Sequence, residues 1–151
     1  MVSVMAYVVL GMGLVAAGVA LHAAAGSLQT APAQDGSSVY LQHCASCHGA
    51  HGEGARNWQQ PNAAGEMPAP PHDARGHTWK HSDAMLYRIV QEGWRDPFNK
   101  SDRLTMPPFK DQLSRDDTVA VITYLKALWT TEQRSFQAEE SRGRPFPQAK
   151  D

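Results

Sequence analysis

Hydrophobic positions follow two regimes along the 151-residue chain. From Val2 to Ala25 they are nearly continuous. No Asp, Glu, Lys or Arg interrupts this stretch, and His22 is its one strongly polar residue. Such a run, wound as a helix, can cross a hydrocarbon core of about 30 Å. Residues 1–25 are therefore expected to form a transmembrane anchor. A cleaved export signal is the rival reading. Its apolar region is normally about 7–15 residues after a basic start, whereas this run is longer and has no Lys or Arg before it. Against that, Ala23-x-Ala25 and Ala31-x-Ala33 both fit small-residue cleavage sites. Both readings export whatever follows. Residues 26–35 are small and polar, with Pro32, and read as a linker.

After Asp35 the pattern takes a helical period. A first helix is expected near Gly36–Ser38, with Val39, Tyr40 and His43 on one face. Gly49 to Ala55 is glycine-rich and without period. Residues 57–75 carry four prolines, Pro61, Pro68, Pro70 and Pro71. Proline lacks an N–H and biases its predecessor away from the helical region, so this segment should be irregular. Ser82 and Asp83 read as a helix start before Met85, Leu86, Ile89 and Val90, and Gly93 as its stop. The turn-rich stretch from Trp94 to Arg103 leads to Thr105-Met106-Pro107-Pro108-Phe109. Ser114-Arg115-Asp116-Asp117 has the form of a capping box. The helix it opens places Val119, Ile122, Leu125 and Leu128/Trp129 on one face, and the pattern permits continuation past Glu132 to about Arg142. Residues 36–130 thus read as one small all-helical domain, and 131–151 as a helical extension and tail. No strand pattern and no repeat is visible.

Charge changes this picture in one respect. The 14 basic and 15 acidic residues all lie from Asp35 onward, and the formal net charge is −1. No basic stripe is present, which argues against nucleic acid as a partner.

The chemistry is concentrated in Cys44-Ala45-Ser46-Cys47-His48, which holds both of the chain's cysteines. The C-x-x-C-H spacing is that of c-type haem attachment. Each thiol adds across one vinyl group of the porphyrin, and the following histidine lies under the ring as an iron ligand. Three other readings compete. A thioredoxin-like pair wants a βαβ context. A zinc site wants more ligands than the flanking His43 and His51 offer. A disulfide would have to close a very tight loop.

From about Gly36 to Trp129 these residues resemble the small class I c-type cytochromes. Gly36 and Tyr40 resemble that family's small and aromatic residues on the first helix, and Tyr124 its aromatic on the last. The resemblance implies an all-α fold around one covalent haem c, preceded here by the hydrophobic segment. It implies Cys44 and Cys47 as attachment points and His48 as proximal ligand. It gives Pro70 the role of accepting the His48 Nδ1–H, and Met106 that of the second axial ligand. Met106 lies before Pro107 and Pro108, which extend the backbone and present the side chain from a loop. The rivals for that place are Met67, Met85, His72, His77 and His81. His72 departs from the family pattern, which has an apolar residue there. His77 and His81 also invite a second-metal reading. Trp79 reads as a haem-edge residue, Trp58, Trp94 and Trp129 as packing.

The expected function is that of a one-electron carrier, not an enzyme, in an exported respiratory chain. It would exchange electrons with redox partner proteins, its domain held on the periplasmic side by the N-terminal helix or released there after cleavage. The alternatives are a haem subunit of a larger oxidase or dehydrogenase, for which the segment after Trp129 would suit docking, and a haem enzyme or sensor with an open sixth position.

Overall fold

A computed structural model of the chain describes residues 34–149. The segment expected to span the membrane lies outside the described residues. Among the described residues, no helix is long and apolar enough to cross a membrane.

Five α-helices are present among the described residues: α1 (Gly36–His43), α2 (Ala45–His48), α3 (Asp83–Glu92), α4 (Arg115–Lys126) and α5 (Thr131–Ser141). A 3-10 turn spans Thr78–Lys80. Side-chain caps set most of the starts. Asp35 accepts from Ser38 N at α1, and Ser82 from Met85 N at α3. Ser114 and Asp117 close a reciprocal capping box at α4. Each such cap satisfies amides that the first helical turn leaves without partners.

The core joins α1, α3, α4 and the link before α4. Val39 and Tyr40 meet Leu86 and Val90, Phe109 and Leu113, and Val121, Ile122, Leu125 and Trp129. The buried stripe of α4 is rotated from the expected one. Thr118 and Val121 are buried, while Val119 is only half-buried. Thr118 can lie inside because its hydroxyl donates to Ser114 O at 2.9 Å and accepts from Gln91 Nε2 at 2.7 Å. The close crossing of α1 and α4 depends on Gly36. A Cβ built there would stand 2.2 Å from Ala120 O. Tyr40 and Tyr124 pack across the same crossing, ring centroids 5.3 Å apart.

The expectation that the helix opened at Ser114 continues to about Arg142 is corrected. α4 ends at Lys126, and α5 starts afresh after Thr130. Thr130 accepts from Gln133 N, and the Gln133 side chain reaches back to Thr130 N, a second capping box. The turn folds α5 back onto the domain. Gln137, 1% exposed, donates to Asp83 Oδ1 at 2.6 Å and to Ser141 Oγ at 2.9 Å. Ser141 Oγ accepts from Asp83 N, Lys126 pairs with Asp83 at 2.6 Å, and Phe136 meets the edge of Trp79. The segment after Trp129 is therefore committed to the start of α3 and to the 3-10 turn.

Candidate haem site

The short helix α2 carries the motif. Cys44 sits at the joint between α1 and α2, and Cys47 N and His48 N both bond to Cys44 O, at 3.1 and 3.0 Å. One helical turn therefore sets both thiols and the imidazole on a single rigid piece of backbone. The two cysteines are free. Burial pushes the Cys44 thiol up to about 11, and Cys47 pushes in the same direction. A thioredoxin-like pair wants a βαβ unit, and the elements among the described residues are all helical.

The chain beyond His48 turns back beneath it. Gly54 N bonds to His48 O at 2.7 Å, and Ala55 N to Ala69 O at 2.9 Å. His72 N and Asp73 N both bond to Gly52 O. Gly54 makes this approach possible: its φ is +76°, and a Cβ there would stand 2.5 Å from Pro71 N. Proline at 70 and 71 has no N–H to satisfy, so the strap can lie flat against the loop. The result sets Pro70 O 2.8 Å from His48 Nδ1. A carbonyl only accepts, so Nδ1 must carry the proton and Nε2 keeps its lone pair. Burial also lowers the His48 pKa, with the Pro70 bond working against it, which favours the neutral ring. A neutral, tautomer-fixed imidazole with one free nitrogen is what a metal ligand requires. With two free thiols on the same turn, these residues fit a covalently attached haem.

His72 takes the place of the expected apolar residue, and it packs. Its ring stacks on His48, with centroids 3.9 Å apart and planes at 23°. Its Nδ1 lies 2.9 Å from Thr78 Oγ1, and Trp129 Nε1 donates to its carbonyl at 2.9 Å. Burial holds its pKa well below the usual histidine range, and His48 adds to that. Trp129 is thus more than packing, and Thr78 is a buried supporting residue that the sequence did not mark. His72→Ala removes the stack and the Thr78 bond together. The expected result is a loss of about 1–3 kcal/mol from the holoprotein's unfolding free energy, read from its denaturant midpoint.

Met106 is held by its backbone. Trp94 N bonds to Met106 O at 2.9 Å and Met106 N to Trp94 O at 3.1 Å, an isolated antiparallel bridge. Phe109 N then bonds to Val90 O at 3.0 Å. The Met106 side chain is half-buried and packs on the core, as do Cys44 and Ala45. Of the rival methionines, Met85 has its thioether engaged elsewhere, Sδ accepting from Arg88 Nη2 at 3.1 Å, while Met67 is tied through its backbone, N bonding to Asn99 Oδ1 at 2.7 Å. His77 and His81 meet edge to face, 5.5 Å apart. Among the described residues, no group of three or more His, Cys, Asp or Glu is placed to hold a metal ion. Trp79 donates to Gly76 O and packs against Phe136.

Helices meeting at a glycine crossing, with a thiol pair and a carbonyl-tethered histidine on one turn, define a small all-helical c-type haem protein. A family model described as cytochrome c matches residues 33–129, and the chain belongs to that family. It is accordingly a haem-containing electron carrier with covalently attached haem c. No individual curated protein matches the chain significantly.

Proposed function

We propose that the chain is a monohaem one-electron carrier of an exported respiratory chain. In this reading Cys44 and Cys47 would bear the thioethers, His48 and Met106 would be the residues that hold the iron, and Pro70 orients His48. When bound, haem c supplies a single iron that exchanges one electron at a time. The chain's own residues keep the change between the two states small. His48 is fixed by the Pro70 carbonyl on one nitrogen and by the His72 stack on its face. Met106 hangs from a backbone bonded to Trp94 on both sides. That bridge is the observation that supports the reading: it would hold a Met106 donor in place, and a filled sixth position suits a carrier, whereas a catalytic haem needs it open.

The extended apolar run at residues 2–25 supports anchoring, with the domain on the periplasmic side. Donor and acceptor would be redox proteins at that surface. The subunit alternative drew on the segment after Trp129 as a docking element; α5 there packs against Asp83 and Trp79 of its own domain. The test is a reversible reductive titration of the purified full chain under carbon monoxide. The expected result is one electron per chain and no carbon monoxide complex on the timescale of mixing. Rapid stoichiometric binding would contradict the closed position. Recovery in the detergent-extracted membrane fraction, at the uncleaved mass, is expected of the anchor. A soluble protein starting at Gly26 or Gln34 would replace it with the signal reading.

A further inference from the structure

The loop that ends in Met106 is not held by hydrophobic burial. No residue from 94 to 105 belongs to the core cluster, and Phe98 in its middle is 80% exposed. Something else must fix it. Across from it lies the turn at 62–67, on the chain segment that passes beneath His48. Glu66 in that turn is 6% exposed. Its carboxylate accepts from Ser101 Oγ at 3.0 Å and from Arg103 Nε at 2.9 Å, and Arg103 Nη2 bonds its other oxygen. Arg103 thus grips both oxygens in the fork geometry that makes guanidinium–carboxylate pairs strong. Glu66 N in turn bonds to Asn62 Oδ1 at 3.0 Å, so the turn itself is rigid.

A second, buried link runs beside it. Asn99, 4% exposed, accepts from Met67 N at 2.7 Å and donates to Thr105 Oγ1 at 3.3 Å. Lys100 N bonds to Gly65 O at 3.2 Å. Arg95 closes the loop on itself, donating to Ser101 O and Asn99 O. The contacts end at Thr105, whose N bonds to Trp94 O next to the Met106 bridge. Arg103 and Ser101 hold the Glu66 carboxyl below the usual range, so it is ionised at neutral pH.

We propose that the clamp of Glu66 on Ser101 and Arg103 is a positioning device for Met106: it ties the 94–106 loop to the 62–67 turn and sets how often the thioether leaves the sixth position. This rests on Met106 being the axial donor. It makes Glu66 and Arg103 governors of ligand exchange, although neither touches haem in the proposal.

Imidazole added to the ferric holoprotein tests this, because it enters only when the sixth position opens. Glu66→Gln keeps the shape of the side chain and removes its charge. Arg103→Gln alters a residue whose side chain is 68% exposed, and so keeps the test open if the first variant folds poorly. Each is expected to speed imidazole binding by about tenfold or more, given the strength of hydrogen bonds to charged groups. The double variant should be little faster than the faster single one, because both remove the same contact. Ile122→Val, in the core away from the clamp, should leave the rate unchanged while lowering overall stability. Unchanged rates in both single variants overturn the proposal, as does an equal acceleration in Ile122→Val. If they stay unchanged while Met106→Ala abolishes the sulfur–iron signal, the clamp fails and the ligand reading stands. If Met106→Ala leaves the ferric spectrum intact, the ligand reading fails and the clamp falls with it.

Discussion

Met106→Ala is expected to leave the haem attached and to open the iron. Attachment depends on Cys44 and Cys47, and the proximal side on His48 and Pro70, none of which the substitution touches. The sulfur is a soft donor that raises the reduction potential, so its loss should lower the potential. The ferric iron should become high-spin, or else capture a histidine such as His77 or His81 and lose only the sulfur band. Carbon monoxide should then bind the ferrous variant far faster than the parent. If the open form of the parent is about 1% populated, removing the competitor raises the apparent affinity by about a hundredfold. Equal carbon monoxide binding in variant and parent, with an unchanged potential, would mean that another group holds the sixth place.

Gly36→Ala is expected to destabilise the domain although it improves local helix propensity. The propensity gain is at most about 1 kcal/mol. The new methyl would stand 2.2 Å from Ala120 O and 3.0 Å from Tyr124 Cβ. The first neighbour is backbone inside α4, so it cannot swing away as a side-chain end would. α1 and α4 must separate, and Tyr40 and Tyr124 lose their packing. Overpacking of this kind costs about 1–3 kcal/mol and occasionally more. For a domain of this size each kcal/mol lowers the melting temperature by about 4–8 °C. A holoprotein that melts at or above the parent's temperature would show that the crossing is looser than the backbone contact implies.

Local chemistry was legible in the sequence, and long-range contact was not. The haem motif and the caps at Ser82 and Ser114 depend on residues a few positions apart, so they can be read along the chain. The approach of Pro70 to His48 was expected only through resemblance. It requires the loop after the motif to pair with residues 69–73, a contact that no periodicity encodes. His72 was unusual in the sequence, but its stack on His48 needed three dimensions to be seen. The clamp of Glu66 on Ser101 and Arg103 joins residues 35 and 37 positions apart within irregular chain, where hydrophobic pattern carries no signal. The break between α4 and α5 is different. Thr130 to Gln133 has the S/T-x-x-Q form of a capping box and was readable. Propensity pulls the other way, because helix formers such as Glu132, Gln133, Arg134 and Gln137 follow Thr130 and favour one long helix.

The most direct measurement is the visible and near-infrared spectrum of the purified ferric protein. Low-spin iron with the weak sulfur-to-iron charge-transfer band is the predicted result, and replacement of Met106 should abolish that band. A high-spin ferric spectrum, or a low-spin one without the sulfur band, would contradict an electron carrier whose iron is closed by His48 and Met106.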